Sequence, residues 1–345
     1  MKKGKLTKIL LIIVVVIAVV FVGFVGYTKH LDKPLNPSDK DTQLIKVEEG
    51  STTTDISNLL EKKKIIKSAG DFKILSKLKR YDGHYQAGTY ALSPSMPPSE
   101  IATVIISGDT SMVTITIPEG YTASQISKYL SDEGIVNKEK FDYVLMSGDF
   151  DYDFLKDATN GVNKLNGYLF PDTYTFPIGT NEETIVNMML SQFDKTFDKK
   201  FRDRAKEQGK SIKEIVTVAS IIEREAKEPS ERPKVASVVY NRLKKGMKLE
   251  MCSCVQFALG KQKSVLTYDD TAIDSPYNTY IHDGLPPGPI CNPGKASIEA
   301  ALYPDKTDYL YFVVSDKQDG SMKFSKDYNE FLKNKDKYYD TLEEK

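Results

Sequence analysis

The chain has 345 residues, enough for two domains or more, and its charge balances at 48 Lys plus Arg against 48 Asp plus Glu. No global field therefore points to a nucleic acid or an acidic ligand, and no nucleic-acid partner is expected. Three cysteines (Cys252, Cys254, Cys291) are too few for a disulfide framework, and no histidine lies near Cys252-Ser253-Cys254 to build a zinc site.

The first eight residues, MKKGKLTK, carry four lysines, and residues 9–27 then run without a charge. That is about the length a helix needs to cross a bilayer. A cleavable leader would have a shorter apolar core and a small-x-small cleavage site, so 9–27 reads as an uncleaved transmembrane helix. The lysine bias places 1–8 in the cytoplasm and everything after the single span outside the cell membrane. Residues 28–43, polar with two prolines, read as a juxtamembrane linker.

An internal repeat follows. Gly50, Ile56, Ser57, Leu60 and Ile65 match Gly120, Ile126, Ser127, Leu130 and Ile135 at a constant offset of 70. Each copy predicts a short strand, a Glu-Gly turn, a Ser/Thr-capped helix and a second small helix. Between them lie a strand, a Pro-rich turn and another amphipathic helix, making 44–155 an α+β repeat lobe. A second, mixed α+β lobe is expected over 156–345. It opens on LNGYLFPDTYTF as strand and turn, with helices predicted at 181–208, 211–228 and from Ser230 to Lys245. Residues 265–295 hold too much Pro, Gly, Asn and Tyr for regular structure and read as an ordered binding or catalytic loop. ASIEAALYP predicts a helix, DYLYFVVS a buried strand, and the C-terminus a polar helix.

One residue in the 211–228 helix is out of place. At about 100° per residue Glu223 falls within the apolar stripe of Ile212, Val216, Ala219, Ile222 and Ala226, whereas Glu214 and Glu225 fall on the opposite side, expected to face solvent. A carboxyl in an apolar pocket suits proton delivery to a glycosidic oxygen, because desolvation raises its pKa toward the working pH. The alternative is a buried glutamate paired with Arg224, Arg232 or Arg242. The Tyr- and Asn-rich loop fits a sugar, and fits equally a loop merely stiffened by proline.

LNGYLFPDTYTF, VASIIEREA, ERPKVASVVYNRLKKGMKLE, IDSPYNTY with GLPPGPICNPGKASIEAALYP, and YLYFVV with FSKDYNEF together resemble the endolytic murein transglycosylase (YceG-like) family, in order over about 160–335. The resemblance implies a LysM-like character for 44–155 and a transglycosylase catalytic domain at 156–345. It also implies cleavage of nascent peptidoglycan strands between N-acetylmuramic acid and N-acetylglucosamine, leaving 1,6-anhydro ends. Glu223 would be the single acid/base. Tyr277, Asn278, Thr279, Tyr280 and Asn292 would hold the glycan, with no metal or organic cofactor and with cell-wall synthases as partners. Two departures stand out: Asn166 replaces the family's usual Glu, and EMCSCVQFALG replaces an Asp-Pro-containing stretch. Two other readings stay open, a non-catalytic glycan-binding scaffold and a pyridoxal-phosphate lyase. The second would need a cytoplasmic fold with a Schiff-base lysine.

Overall fold

The computed structural model describes residues 2–159, 161–263, 265–317 and 319–343. Contacts divide the chain into two compact units, 1–114 with 175–180 and 115–174 with 181–345. The fold is mixed α+β.

The first unit opens on α1 (Lys2–Leu31), whose stretch Leu11–Leu31 has a hydropathy of 2.8 and is long and apolar enough to cross a membrane. Residues 11–24 are exposed along their whole length, so α1 is no core helix. Its end is docked: Leu31 is buried, and Asp32 accepts from the Ser99 backbone N–H (2.8 Å) and hydroxyl (2.7 Å). The expected linker at 28–43 therefore begins as packed structure. The physical reason lies at the helix Pro98–Ser107, whose N-cap Pro97 makes no side-chain bond, so Asp32 caps its first turn instead.

Next come β1 (Gln43–Val47), α2 (Thr53–Lys62), α3 (Ala69–Lys79), β2 (Gly88–Leu92) and α4 (Pro98–Ser107). β1 and β2 pair antiparallel with Gln43 opposite Leu92 and Val47 opposite Gly88. The pair buries Ile45, Val47, Tyr90 and Leu92 against Ile56, Leu60 and Phe72. Strand β3 (Met112–Thr116) pairs with β4 (Thr173–Pro177), and the division between the units passes through both strands.

The second copy of the repeat continues from β3 with α5 (Ala123–Asp132) and α6 (Lys138–Ser147). The two copies take the same local form. Gly50 and Gly120 both turn at positive φ (77° and 79°), Thr52 and Thr122 both cap the next helix, and each makes a reciprocal capping box, with Asp55 and Gln125. The helix ends match too: Ile65 N–H reaches Leu60 and Ile135 N–H reaches Leu130, each at 2.9 Å. The units divide at 114/115, whereas the sequence suggested 155/156. The second copy packs with the later residues because Asn166 spends its side chain on the α5 N-terminus, its Oδ1 accepting from Ala123 N–H at 3.0 Å.

The rest of the second unit is α7 (Glu182–Thr196), α8 (Lys199–Glu207), α9 (Ile212–Glu225), α10 (Arg232–Lys244), α11 (Cys252–Leu259), α12 (Tyr268–Thr271), α13 (Lys295–Leu302), β5 (Tyr311–Val314), β6 (Met322–Ser325) and α14 (Tyr328–Glu343). The single helix expected over 181–208 breaks at Phe197, where Asp198 caps a new one. The DYLYFVVS strand, expected buried, is half-buried at Tyr311–Val313 and exposed at Val314. Helix α9 is the axis of the unit, packed by α8, α10, α11 and α13. Residues Ile215 to Ile222 are all buried, so it has no solvent face along its middle.

Candidate active site

Four segments of the second unit meet at the C-terminal end of α9. The first is α9 itself, carrying Glu223, Arg224 and Glu225. The second is the Glu119-Gly120-Tyr121 turn of the repeat. It is laced to the third, the 273–294 loop, by Gly120 N–H to Asn292 O (2.9 Å) and Asn292 N–H to Tyr121 O (2.8 Å). The fourth is the start of α10, which supplies Arg232.

The Glu223 side chain is only 6% exposed, and both its oxygens accept hydrogen bonds. Oε2 takes the Gly294 backbone N–H at 2.9 Å, and Oε1 takes Arg232 Nη2 at 3.1 Å. The anticipated burial is therefore found together with the ion pair of the alternative reading. A second carboxyl, unforeseen from sequence, shares that arginine: Glu119 Oε2 lies 4.0 Å from Arg232 Nη2. Burial raises the Glu119 pKa, and the negative charge of Glu223 raises it further, with Arg232 opposing. The absence of a Cβ at Gly294 lets the Glu119 carboxyl lie against its backbone.

Glu225 corrects an expectation. It does not face solvent: it is half-buried, its Oε1 accepts the Ser253 N–H at 3.1 Å, and burial raises its pKa. The helical-wheel argument failed because α9 is enclosed on all sides and α11, whose Met251 cap has no side-chain bond, takes its cap from Glu225. The folded state keeps this proton above the ordinary carboxyl value of 4.5, so stability falls as pH rises from there through the folded pKa. Glu225→Gln, whose amide oxygen can still accept from Ser253, is expected to lose that component. Denaturant titrations of both proteins across pH should converge at low pH and separate above it, with the variant the more stable.

Beside Arg224 opens a cleft of about 630 Å³, lined among others by Gln125, Arg224, Ser253, Gln256 and Tyr277. Glu223 does not line it; the cleft begins one residue along the chain. Ser253 (6% exposed) and Tyr277 (8% exposed) form part of its wall, with both hydroxyls turned inward, away from solvent. The unusual EMCSCVQFALG stretch thus supplies cleft wall.

The five loop residues divide. Tyr277 lines the cleft. Tyr280 is half-buried against the exposed Cys252, hydroxyl to thiol 3.2 Å. Asn278, Thr279 and Asn292 are buried and spend their side chains on main chain. Asn278 Nδ2 bonds Thr271 O (3.0 Å) and Ile273 O (2.8 Å), and its Oδ1 takes the Tyr280 N–H. Thr279 Oγ1 takes the Met251 N–H (2.9 Å). Asn292 holds Tyr121 O, Gly167 N–H and Leu169 N–H. These three shape the loop. Asn166, where a Glu was usual, also donates to Pro289 O at 2.6 Å, which a carboxylate could not do.

With this geometry in hand, the model of the YceG-like family matches residues 45–337. The chain belongs to the YceG-like family. A Bacillus subtilis protein named endolytic murein transglycosylase is 40% identical over 92% of this chain and 90% of its own length. A Streptococcus pneumoniae protein of the same name is 31% identical over 81% of this chain, which spans 56% of that longer relative. The crystal structure of a YceG-like protein from Listeria monocytogenes superposes with a TM-score of 0.57 at 37% identity, covering 85% of this chain and 99% of that one. The YceG-like fold thus accounts for both units.

Proposed function

We propose that this chain is a membrane-anchored endolytic murein transglycosylase, with Glu223 as its acid/base and peptidoglycan glycan strands as substrate. The observation that carries the reading is the nearly buried Glu223 carboxyl, fixed by Gly294 N–H and Arg232, one residue along the chain from a cleft of about 630 Å³. Similarity to relatives named for that activity supports it. The four lysines before the span favour a cytoplasmic N-terminus and an external catalytic unit.

In this reading Glu223 gives its proton to the oxygen bridging muramic acid and glucosamine, and the bond from that oxygen to muramic C1 breaks. The carboxylate then takes the proton of the muramic C6 hydroxyl as that oxygen bonds C1, closing a 1,6-anhydro ring and restoring the acid. Both oxygens of Glu223 accept in the free protein, where the carboxylate pairs with Arg232, so acid catalysis requires the Arg232 contact to be released and a proton to be taken up from solvent first. Arg232 can turn toward Glu119, already 4.0 Å away. Arg224, Gln125 and Gln256, which line the cleft with Tyr277, would hold the strand.

Glu119 favours one rival mechanism, in which a second carboxyl activates water and the product is a reducing muramic end. Mass spectrometry of glycan strands digested by the protein separates them. Anhydro ends, one water lighter than hydrolysed ends, are expected; reducing ends from the first turnover would replace transfer by hydrolysis, and intact strands that stay bound would indicate a scaffold.

A further inference from the structure

The two repeat copies share their backbone but not their charge. Residues 62–80 of the first copy carry Lys62, Lys63, Lys64, Lys67, Lys73, Lys77, Lys79 and Arg80 against the lone Asp71. The corresponding stretch of the second copy, 132–149, has Lys138 and Lys140 against Asp132, Glu133, Glu139, Asp142 and Asp149. A fold that forms equally well with either charge does not require the basic set. Among the described residues none of the eight cations makes an ion pair. They are not mutually neutralised, and like charges this dense repel unless a partner of opposite sign is present.

Position and apolar content say which partner. Helix α3 packs beside α1 within the same unit. The apolar run of α1 ends at Tyr27, and Leu31 and Asp32 are already docked on the unit, so only about 6 Å of helix separates the span from the body that carries α3. On α3 itself Ile74 and Leu78, one turn apart, are 42% and 45% exposed, with Lys77 between them. Exposed apolar side chains among lysines, at headgroup level, are the composition of a helix lying in the membrane interface.

We infer that the 62–80 face of the first unit seats on an anionic lipid surface, with the lysines on headgroup phosphates and Ile74 and Leu78 entering the acyl boundary. This rests on α1 crossing the bilayer and is independent of the activity. Near an anionic surface each basic residue favours contact by roughly five-fold, and the attraction acts only within a Debye length. The consequence is that the span fixes where the first unit sits, and the basic face fixes how it lies.

The chain has no tryptophan, so Leu78→Trp introduces a single reporter at an exposed site. The full-length variant is reconstituted in vesicles of phosphatidylcholine alone or with phosphatidylglycerol, and flotation with the vesicles reports insertion of α1 separately. With phosphatidylglycerol, indole emission should move to shorter wavelength and be quenched by brominated acyl chains. In 1 M salt, where the Debye length is about 3 Å, both effects should disappear. They should also disappear when Lys67, Lys73, Lys77 and Lys79 are changed to Gln, with flotation retained. Emission that reports water in both lipids, or a shift indifferent to lipid charge, salt and the lysines, overturns the proposal. So does a shift with soluble poly(glycerol phosphate) but none with phosphatidylglycerol bilayers, which would give the face to a wall polymer.

Discussion

Glu223→Gln is expected to abolish most glycan cleavage, by about the 10²–10⁴-fold that a lost general acid costs, while leaving strand binding in place. The amide has the size of the carboxyl and can still accept the Gly294 N–H, but it has no proton to deliver and cannot take one from a sugar hydroxyl. The substitution is not silent for stability. Glu223 is the close partner of the buried Arg232, and removing its charge leaves that guanidinium with Glu119 at 4.0 Å, a half-exposed side chain. A loss of about 1–3 kcal/mol follows, below the full cost of stranding a buried charge because Glu119 can move in. Cleavage rates and pull-down of isolated strands, measured well below the melting temperature, check it. Undiminished cleavage removes Glu223 from the mechanism; lost binding with lost cleavage would make it a binding group.

What could be read in advance follows from how local each signal is. The repeat was legible because its determinants lie within a few residues of one another: a glycine at positive φ, a Thr cap and its Asp or Gln partner three residues on. The long apolar helix was legible because nineteen uncharged residues need no context. The constellation around Glu223 was only half legible. Its burial came from helical periodicity, and Arg232 was one of three arginines the sequence offered as a partner, but Glu119 reaches it from a turn that nothing in the local pattern connects to α9. Glu225 was misplaced because the wheel assumes one wet side, and α9 has none. The buried loop asparagines, Asn278 and Asn292, raise a related point. Polar residues in a Pro-rich loop suggest a ligand, yet a loop that runs through the interior must first satisfy its own main chain. Tyr277, from the same loop, lines the cleft.

Asn292→Ala tests that last distinction and is expected to cost roughly 2–6 kcal/mol. Asn292 is fully buried, and its Oδ1 takes two backbone donors, Gly167 N–H at 2.8 Å and Leu169 N–H at 3.0 Å, while Nδ2 donates to Tyr121 O at 2.8 Å. Alanine removes all three bonds. Tyr121 O keeps the Asn292 backbone N–H, so the cost falls on the two stranded donors, each worth about 1–3 kcal/mol when left unpaired. Gly167 sits at φ 95°, and a Cβ there would overlap the Pro289 ring, so its backbone is held close against that proline. The melting temperature should fall by roughly 10 °C for a domain of this size. Activity should fall with it, because the same residue pins the Glu119-Gly120 turn beside Glu223. A thermal scan decides between framework and ligand: an unchanged melting temperature with weakened glycan binding would return Asn292 to the set that touches substrate.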